Sequence, residues 1–372
     1  MKWVFWLSFL LIGYAYVGYP LWIALRARLR HLPVQRSEIV PAISVVIAAH
    51  NEAAALPAKL TNLEQLDYPR ERMEILIVSD GSTDGTEEIL KSESGEGIRL
   101  ISLAQRMGKA AALNRGVQAA GGEVVVFTDA RQQIERTAIR ALMSNFNDPS
   151  IGCVSGELCL FDQAQTGRTG GVGLYWKMEK MIRKWESSSG SVVGATGAIY
   201  AVRRNLLPVL PPGTIVDDVY IPLEVIRRGY RVLFEPEARA WDVATPDFAR
   251  EFRRKVRTLT GNYQLVQLMP WLLTRANPVR FEFVSHKLMR LSVPFALVGL
   301  LAGAFFLPSN FYLACLVAQI LFYGVAPLAL KWPRIPGIGR VASVALSFLV
   351  LNVAALVAFV NFVSGKKEVW VR

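Results

Sequence analysis

Long uncharged runs occupy both ends of the chain, and shorter apolar runs alternate with polar segments in its middle. Residues 3–25 contain no charged side chain, and the cations Arg26, Arg28 and Arg30 follow at once. Three further uncharged runs cover residues 291–307, 311–330 and 341–364. Runs of this length predict membrane-spanning helices. The basic flank follows the first run, which favours a retained anchor over a cleaved signal peptide.

The basic flank also predicts an orientation. By the positive-inside rule it places residues 41 to about 285 in the cytoplasm, so we expect a multi-pass protein of the inner (plasma) membrane. Four spans would put the end of the chain outside, although Lys366, Lys367 and Arg372 favour the inside. One of the apolar runs is therefore open to a second interpretation, as an interfacial or re-entrant segment.

The middle of the chain alternates between two periodicities. Short apolar, β-rich runs at 43–49, 74–78, 98–102 and 123–128 are separated by amphipathic helical patterns. Strands that alternate with helices, each strand largely apolar, indicate an α/β domain whose sheet is parallel and covered by helices on both faces.

Polar residues follow these predicted strands at their carboxyl ends. Asn51 and Glu52 follow the first strand, Asp80 ends the second and Asp129 follows the fourth. One acid at a strand end is usually a helix cap, but acids at three ends of one sheet indicate a polar crevice. Such a crevice suits a hydroxyl-rich ligand and a cation.

Glycine patterns narrow the choice of ligand. No G-x-G-x-x-G follows the first strand, so a dinucleotide is not expected, and Gly108-Lys109 lacks the spacing of a phosphate loop. Lys109 nevertheless opens a predicted helix, where an ammonium and free N–H groups together suit a phosphate.

Composition and charge exclude several classes of protein. Hydrophobic residues make up 52% of the 372 residues, which excludes disorder, and the three cysteines form no C-x-x-C pair. The net charge of +12 comes largely from cations beside the apolar runs: residues 246–290 contain nine Lys or Arg against three Asp or Glu. Interleaved aromatic residues such as Phe248 and Phe252 make this segment a predicted amphipathic surface on anionic membrane lipid. We do not expect nucleic-acid binding.

Six motifs occur in one order along the middle of the chain. They are SVVIAAHNE at 44–52, VSDGSTDGT at 78–86, Gly108-Lys109 with Asn114, FTD at 127–129, VGATGAIY at 193–200 and VDD at 216–218. Over roughly residues 41 to 265 the chain resembles the membrane-bound glycosyltransferases of family 2, related to bacterial cellulose, hyaluronan and poly-N-acetylglucosamine synthases. The resemblance implies a GT-A fold with a mixed, Rossmann-like sheet, a nucleotide-sugar donor, Mg²⁺ or Mn²⁺, and inversion at the anomeric carbon.

The resemblance also implies roles for residues of the donor site. Glu52 and Asp80 would contact the nucleoside, with Asp80 on the base, because a carboxylate accepts the imide or amide hydrogen of a pyrimidine. Lys109 and Asn114 would belong to the donor site. Asp129 would bind the metal as the first acid of the family's D-x-D motif.

Two departures from the family pattern concern the metal and the acceptor. The second acid of D-x-D is Arg131, which would offset phosphate charge, and a hard cation needs only one or two protein carboxylates when a diphosphate supplies the rest. In place of the family's Q-x-x-R-W the chain keeps Arg257 but has Thr258 instead of tryptophan, which leaves processive synthesis in doubt. Arg257 would hold the diphosphate, or else it binds only lipid headgroups.

The catalytic base is implied by the last motif. Asp218 stands at the family's catalytic position, and the adjacent Asp217 would raise its pKa, although either acid also suits the cap of the following helix. Three tryptophans are open to two interpretations, as sugar-stacking platforms or as core residues: Trp176, Trp185 and Trp241.

Two functions of different classes fit this sequence. The first is an inverting enzyme that moves a sugar, most simply from a UDP-sugar, to a polysaccharide or lipid-linked acceptor in exopolysaccharide or cell-envelope synthesis, with an oligomer or export partner completing any channel. The second is a non-catalytic membrane subunit, but the joint presence of the predicted site residues favours the enzyme. A transporter is disfavoured because the apolar runs contain no charge.

We predict an anchor (1–30), a GT-A domain (41–245), a basic interfacial segment (246–290) and C-terminal membrane helices (291–364).

Overall fold

The chain folds into two compact units. The computed structural model describes residues 1–93, 97–161, 169–243, 248–331 and 338–365. One unit, the sheet unit, contains residues 31–161 and 186–243, and the other, the helical unit, contains the described residues of 1–30, 162–185 and 244–372. The predicted division into four segments stays a prediction.

The described residues include eight strands and fourteen α-helices, besides short 3₁₀- and π-helical segments. The strands are β1 (Ile43–Ala49), β2 (Met73–Asp80), β3 (Ile98–Leu103), β4 (Val124–Phe127), β5 (Gln133–Ile134), β6 (Ile151–Phe161), β7 (Tyr200–Arg203) and β8 (Arg231–Val243). The helices are α1 (Lys2–Gly13), α2 (Tyr19–Leu29), α3 (Leu56–Glu64), α4 (Thr86–Glu93), α5 (Lys109–Ala119), α6 (Ala138–Ser144), α7 (Thr169–Ser189), α8 (Asp217–Arg227), α9 (Phe248–Leu268), α10 (Arg280–Glu282), α11 (Met289–Phe306), α12 (Asn310–Val325), α13 (Leu328–Lys331) and α14 (Ile338–Val363).

The strands form one mixed sheet in the order β3-β2-β1-β4-β7-β6-β8-β5. β3, β2, β1 and β4 are parallel, as the apolar runs of the sequence predict. β7 lies antiparallel to both β4 and β6, and β8 runs parallel to β6. The carboxyl ends of β1, β2, β4, β6 and β8 therefore lie along one edge of the sheet, and the predicted mixed α/β fold is confirmed.

Burial on both faces explains the continuous apolar runs of the central strands. Every residue of β1 except Ala48 is buried, and its side chains belong to a core that also contains residues of α3 and α6. On the other face α5 lies so close to β1 that a Cβ on Gly116 would come within 2.5 Å of Val46 Cγ1. Glycine is therefore required there, and α5 begins directly above the carboxyl edge of the sheet.

The helical unit contains three helical segments that are long and apolar enough to cross a membrane. They are Lys2–Leu29, Arg280–Phe306 and Val341–Val363. The remaining apolar run forms α12, whose 16 residues span about 24 Å, less than the ~30 Å of a hydrocarbon core. The predicted loop at 331–340 and the basic tail fall largely outside the described residues.

Small and charged residues join the helices of this unit. A Cβ on Gly303 would lie 2.8 Å from Phe5 Cβ, so α11 packs closely on α1, as small residues allow in membrane helices. Near the other end of these helices Arg26 forms an ion pair with Glu282. On α9, Arg250, Arg253 and Arg257 recur at helical spacing. The predicted basic surface on membrane lipid stays a prediction.

Candidate active site

Lys109 lies at the centre of a cluster of three acids in the sheet unit. It is the first residue of α5, and its Nζ lies 2.9 Å from Asp129 Oδ1 and 3.4 Å from Asp217 Oδ1. Burial alone would lower the pKa of Lys109, but the carboxylates of Asp129, Asp217 and Asp218 raise it well above its usual value. The ammonium therefore stays charged. It lies within ion-pair distance of carboxylates from the loop after β4 and from α8.

Asp80 holds the turn that presents Lys109. Its two carboxylate oxygens accept hydrogen bonds from the backbone N–H groups of Met107 (2.6 Å) and Gly108 (2.8 Å), and only 3% of the residue is exposed. Gly81 has φ = +58°, and a Cβ there would come within 2.5 Å of the Arg106 nitrogen, so this close approach requires glycine. Asp80 thus positions the start of α5, and its contact with a nucleobase stays a prediction.

Gly197 lies between the predicted metal ligand and the predicted base. The N–H of Gly197 donates a 2.9 Å hydrogen bond to Asp218 Oδ2. A Cβ on Gly197 would lie 3.5 Å from both Asp129 Oδ2 and Asp218 Oδ2, and 3.8 Å from Lys109 Nζ. The two carboxylates and the ammonium therefore converge on the bare Cα of this glycine.

The environment of Asp218 suits proton transfer. Burial and the negative charges of Asp217 and Asp129 raise its pKa from 3.8 to about 6, against the opposing effect of Lys109. Asp217, 4% exposed, is the more buried of the two adjacent acids. A carboxylate with a pKa near neutrality is a suitable general base.

Glu52 and Arg131 form an ion pair with each other. Arg131 Nε donates to Glu52 Oε2 at 2.8 Å, and this hydrogen bond raises the pKa of the guanidinium. The segment around Glu52 is fixed by Asn51, which has φ = +56° and accepts a 2.8 Å hydrogen bond from the Thr83 N–H. The predicted donor ligand Arg131 thus lies beside the predicted nucleoside ligand Glu52.

The structure places two other predicted donor ligands apart from this cluster. Asn114 uses both polar atoms of its amide on the backbone of Leu210, at 2.8 and 2.9 Å, and so ties α5 to the loop before Asp217. Arg257 belongs to the helical unit, on α9, where it is half-buried. Their contacts with a donor stay predictions.

The three tryptophans have different surroundings. Trp241 lies on β8 and packs against Phe161, with ring centroids 4.6 Å apart. Trp185 packs against the cluster of Tyr19, Ile23 and Ile182 in the helical unit, as a core residue does. Trp176 is partly buried on α7.

Lys59, which no sequence motif indicated, is completely buried beneath the Asp129 loop. Its Nζ donates to Thr128 Oγ1 (3.0 Å) and to the Gln132 carbonyl (2.7 Å). Burial lowers its pKa to about 7, and the nearby charge of Asp129 opposes the shift. A signal was available, because Lys59 shares the apolar face of α3 with Leu56, Leu60 and Leu63.

Asp129 fits a divalent cation whose coordination is completed by a donor. Its carboxylate is 40% exposed and supplies the hard oxygen atoms that Mg²⁺ and Mn²⁺ prefer. The described residues contain no group of three or more His, Cys, Asp or Glu side chains able to hold a metal ion.

The chain is similar to glycosyltransferases of known families. Residues 44–209 match the family model of glycosyl transferase family 2. A probable glycosyltransferase of Bacillus subtilis, YdaM, is 27% identical over 253 residues, which are 64% of this chain and 59% of that protein. The poly-β-1,6-N-acetyl-D-glucosamine synthase of Staphylococcus aureus (strain COL) is 25% identical over 230 residues, 60% of this chain and 55% of the synthase. The matched regions thus span less than two thirds of these relatives.

A solved structure shares the fold over nearly the whole chain. The mannosyltransferase PcManGT of Pyrobaculum calidifontis, in complex with GDP-Man and Mn²⁺, superposes with a TM-score of 0.74 at 22% sequence identity. The match covers 98% of this chain and 99% of that protein. The predicted GT-A fold and the predicted resemblance to family 2 are confirmed.

Proposed function

We propose that the chain is a glycosyltransferase, because residues 44–209 match the family model of glycosyl transferase family 2. In this proposal it transfers a sugar, with inversion, from a UDP-sugar to a polysaccharide or lipid-linked acceptor at the plasma membrane. The observation that carries this proposal is the convergence of Asp129, Asp218 and Lys109 on Gly197. A site for inverting transfer needs a place for the diphosphate and a base on the acceptor side, separated by room for a sugar ring.

In this proposal the donor diphosphate binds beside Lys109. Its ammonium lies at the start of α5, where free backbone N–H groups add partial positive charge, and Arg131 supplies a second cation. Glu52 and Asp80 contact the nucleoside of the donor. A divalent cation held by Asp129 would supply further neutralisation of the leaving diphosphate.

Asp218 acts on the acceptor. Its carboxylate takes the proton of the attacking hydroxyl while that oxygen bonds to the anomeric carbon. The bond between the anomeric carbon and the diphosphate oxygen breaks, and the nucleoside diphosphate leaves with its electron pair. The hydrogen bond from the Gly197 N–H keeps the Asp218 carboxylate oriented, and Asp217 shares the charge of Lys109.

The helical unit carries the features that favour transfer to an acceptor at the membrane. One relative is a polysaccharide synthase, and the three apolar segments together with the basic face of α9 suit a membrane protein whose sheet unit is cytoplasmic. With three spans the carboxyl end of α14 would lie on the cytoplasmic side, the side that Lys366 and Lys367 in the sequence favour by the positive-inside rule. α12 is then the re-entrant or interfacial segment, and Arg257 lies among lipid headgroups or at the diphosphate.

A donor panel tests the proposal. Membranes carrying the wild-type chain are incubated with radiolabelled UDP-sugars and with GDP-mannose, the donor named for the structural relative, and lipid and polymer products are separated. We expect a labelled product from one UDP-sugar and none from matched membranes carrying the Asp218→Asn variant. Transfer only from GDP-mannose would refute the UDP assignment. Absence of transfer from every donor would favour the non-catalytic subunit.

A further inference from the structure

Lys59 makes a contact that its position on a helix would not require. It lies on the buried face of α3, yet both of its hydrogen-bond partners belong to the segment that carries Asp129. Thr128 precedes the Asp-Ala-Arg tripeptide and Gln132 follows it, so one ammonium ties the two ends of this loop together.

The contact continues beyond Thr128. The Thr128 hydroxyl accepts the hydrogen bond from Lys59 and donates its own hydrogen to the Ala198 carbonyl at 2.8 Å. Ala198 is the neighbour of Gly197, whose N–H holds the Asp218 carboxylate. A continuous path of three hydrogen bonds and one peptide linkage thus joins α3 to both the Asp129 loop and the Asp218 carboxylate.

An apolar side chain would satisfy packing at position 59 at a lower free-energy cost. Burying an ammonium among neutral partners destabilises the folded state, and no carboxylate pairs directly with Lys59 among the residues that the structure describes. Its neighbours on this face of α3 are leucines. The presence of a buried charge that destabilises the fold is explained when that charge fixes a geometry on which function depends.

We propose that Lys59 is a positioning residue of the transfer site, whose buried ammonium fixes the Asp129 loop and, through Thr128 and Ala198, the spacing between Asp129 and Asp218. The inference rests on the proposed function for the roles of these two acids. Residues that orient a metal ligand from behind typically change metal affinity or activity by about 10- to 100-fold when replaced.

Two variants interrupt the path at different points. Lys59→Met keeps length and apolar volume but removes the ammonium, and Thr128→Val keeps shape but removes the hydroxyl. Lys91→Met is the matched control, because the Lys91 side chain on α4 is 67% exposed. Mn²⁺ is titrated by calorimetry into each protein saturated with UDP, and amide hydrogen exchange is followed in the peptide that covers residues 124–134.

We expect Mn²⁺ to bind about ten-fold or more weakly in Lys59→Met and in Thr128→Val, with UDP affinity without metal unchanged and with faster exchange in 124–134. The unfolding temperature of Lys59→Met should change little, because the loss of two hydrogen bonds from Nζ is offset by removal of the cost of burying the charge. Unchanged Mn²⁺ affinity in both variants, or an equal loss in Lys91→Met, would overturn the proposal.

The outcome separates this inference from the proposed function. If the wild-type protein binds neither UDP nor Mn²⁺, the proposed function fails, and the exchange data alone then decide whether Lys59 fixes the loop. Exchange in 124–134 that is as slow in Lys59→Met as in the wild type would refute the positioning role itself.

Discussion

The replacement of Asp218 by asparagine should have opposite effects on the transfer rate and on the stability of the fold. Asparagine keeps the size of the side chain and an oxygen that can accept the hydrogen bond from the Gly197 N–H, but it cannot take a proton at neutral pH. We therefore expect transfer to fall by about 10²- to 10⁴-fold while nucleotide binding stays near the wild-type level.

The same substitution should stabilise the protein at neutral pH. A pKa of about 6 in the folded protein, against an ordinary 3.8, means that the folded state binds the proton more tightly than the unfolded state. The favourable contribution of protonated Asp218 is complete below pH 3.8 and is lost as the pH rises through 6. The penalty on the ionised form at pH 7 is about 3 kcal/mol, an upper limit on what asparagine restores.

The assay compares wild type, Asp218→Asn and Asp217→Asn by donor transfer, calorimetric UDP binding and thermal unfolding at pH 7 and pH 4. In the wild type, kcat/KM should decline below pH 6 as the base becomes protonated. Asp217→Asn should be the milder change in rate and should move this decline to lower pH, because one of the charges that raise the pKa of Asp218 is gone. Full transfer by Asp218→Asn would refute the assignment of the base, and a dead Asp217→Asn beside an active Asp218→Asn would assign the base to Asp217.

Three further predictions concern the rest of the site. Transfer should stop in excess EDTA and return with Mg²⁺ or Mn²⁺; full activity in EDTA would mean that Lys109 and Arg131 alone neutralise the diphosphate. Asp80→Ala should raise the donor KM about ten-fold or more, because it loses the predicted base contact and frees the turn before α5, and unchanged donor affinity would exclude both roles. Gly197→Ala should fold, since its Cβ would meet its neighbours at ordinary contact distances, but it should lower kcat more than about ten-fold by filling the space beside Asp129 and Asp218; a normal kcat would show that the sugar lies elsewhere.

The strands of the sheet were predictable where short apolar runs alternate with amphipathic helical patterns. β1 to β4 are short apolar runs between amphipathic helices, and each lies where the pattern places it. β5 to β8 were not predicted as strands: β5 has two residues, β7 has only four, and β8 contains Pro236 and alternating charges. Their pairing is set by long-range contacts, which local patterns do not contain.

The acids of the site were predictable as a set, but their partners were not. A strand end followed by Asp80 or Asp129 indicates a crevice, and the family motifs point to Asp218. That Asp80 uses both oxygens on the turn before α5 depends on two loops meeting in space. Lys59 shows the limit most clearly, because a single lysine on an apolar face has many ordinary explanations and only its contacts identify one.

The charge balance of the cluster explains how arginine can replace the second acid of the metal motif. Glu52, Asp129, Asp217 and Asp218 face Lys109 and Arg131, so the unliganded cluster carries more negative than positive charge. A second aspartate in place of Arg131 would remove one cation, leave Glu52 without its partner and add a fifth acid. In the proposed function, a diphosphate would meet two fixed cations, Lys109 and Arg131, and one carboxylate proposed to bind the metal, Asp129. Arg131 would then supply part of the neutralisation that a two-acid site leaves to the metal, and we expect the cation to bind with, rather than before, the donor.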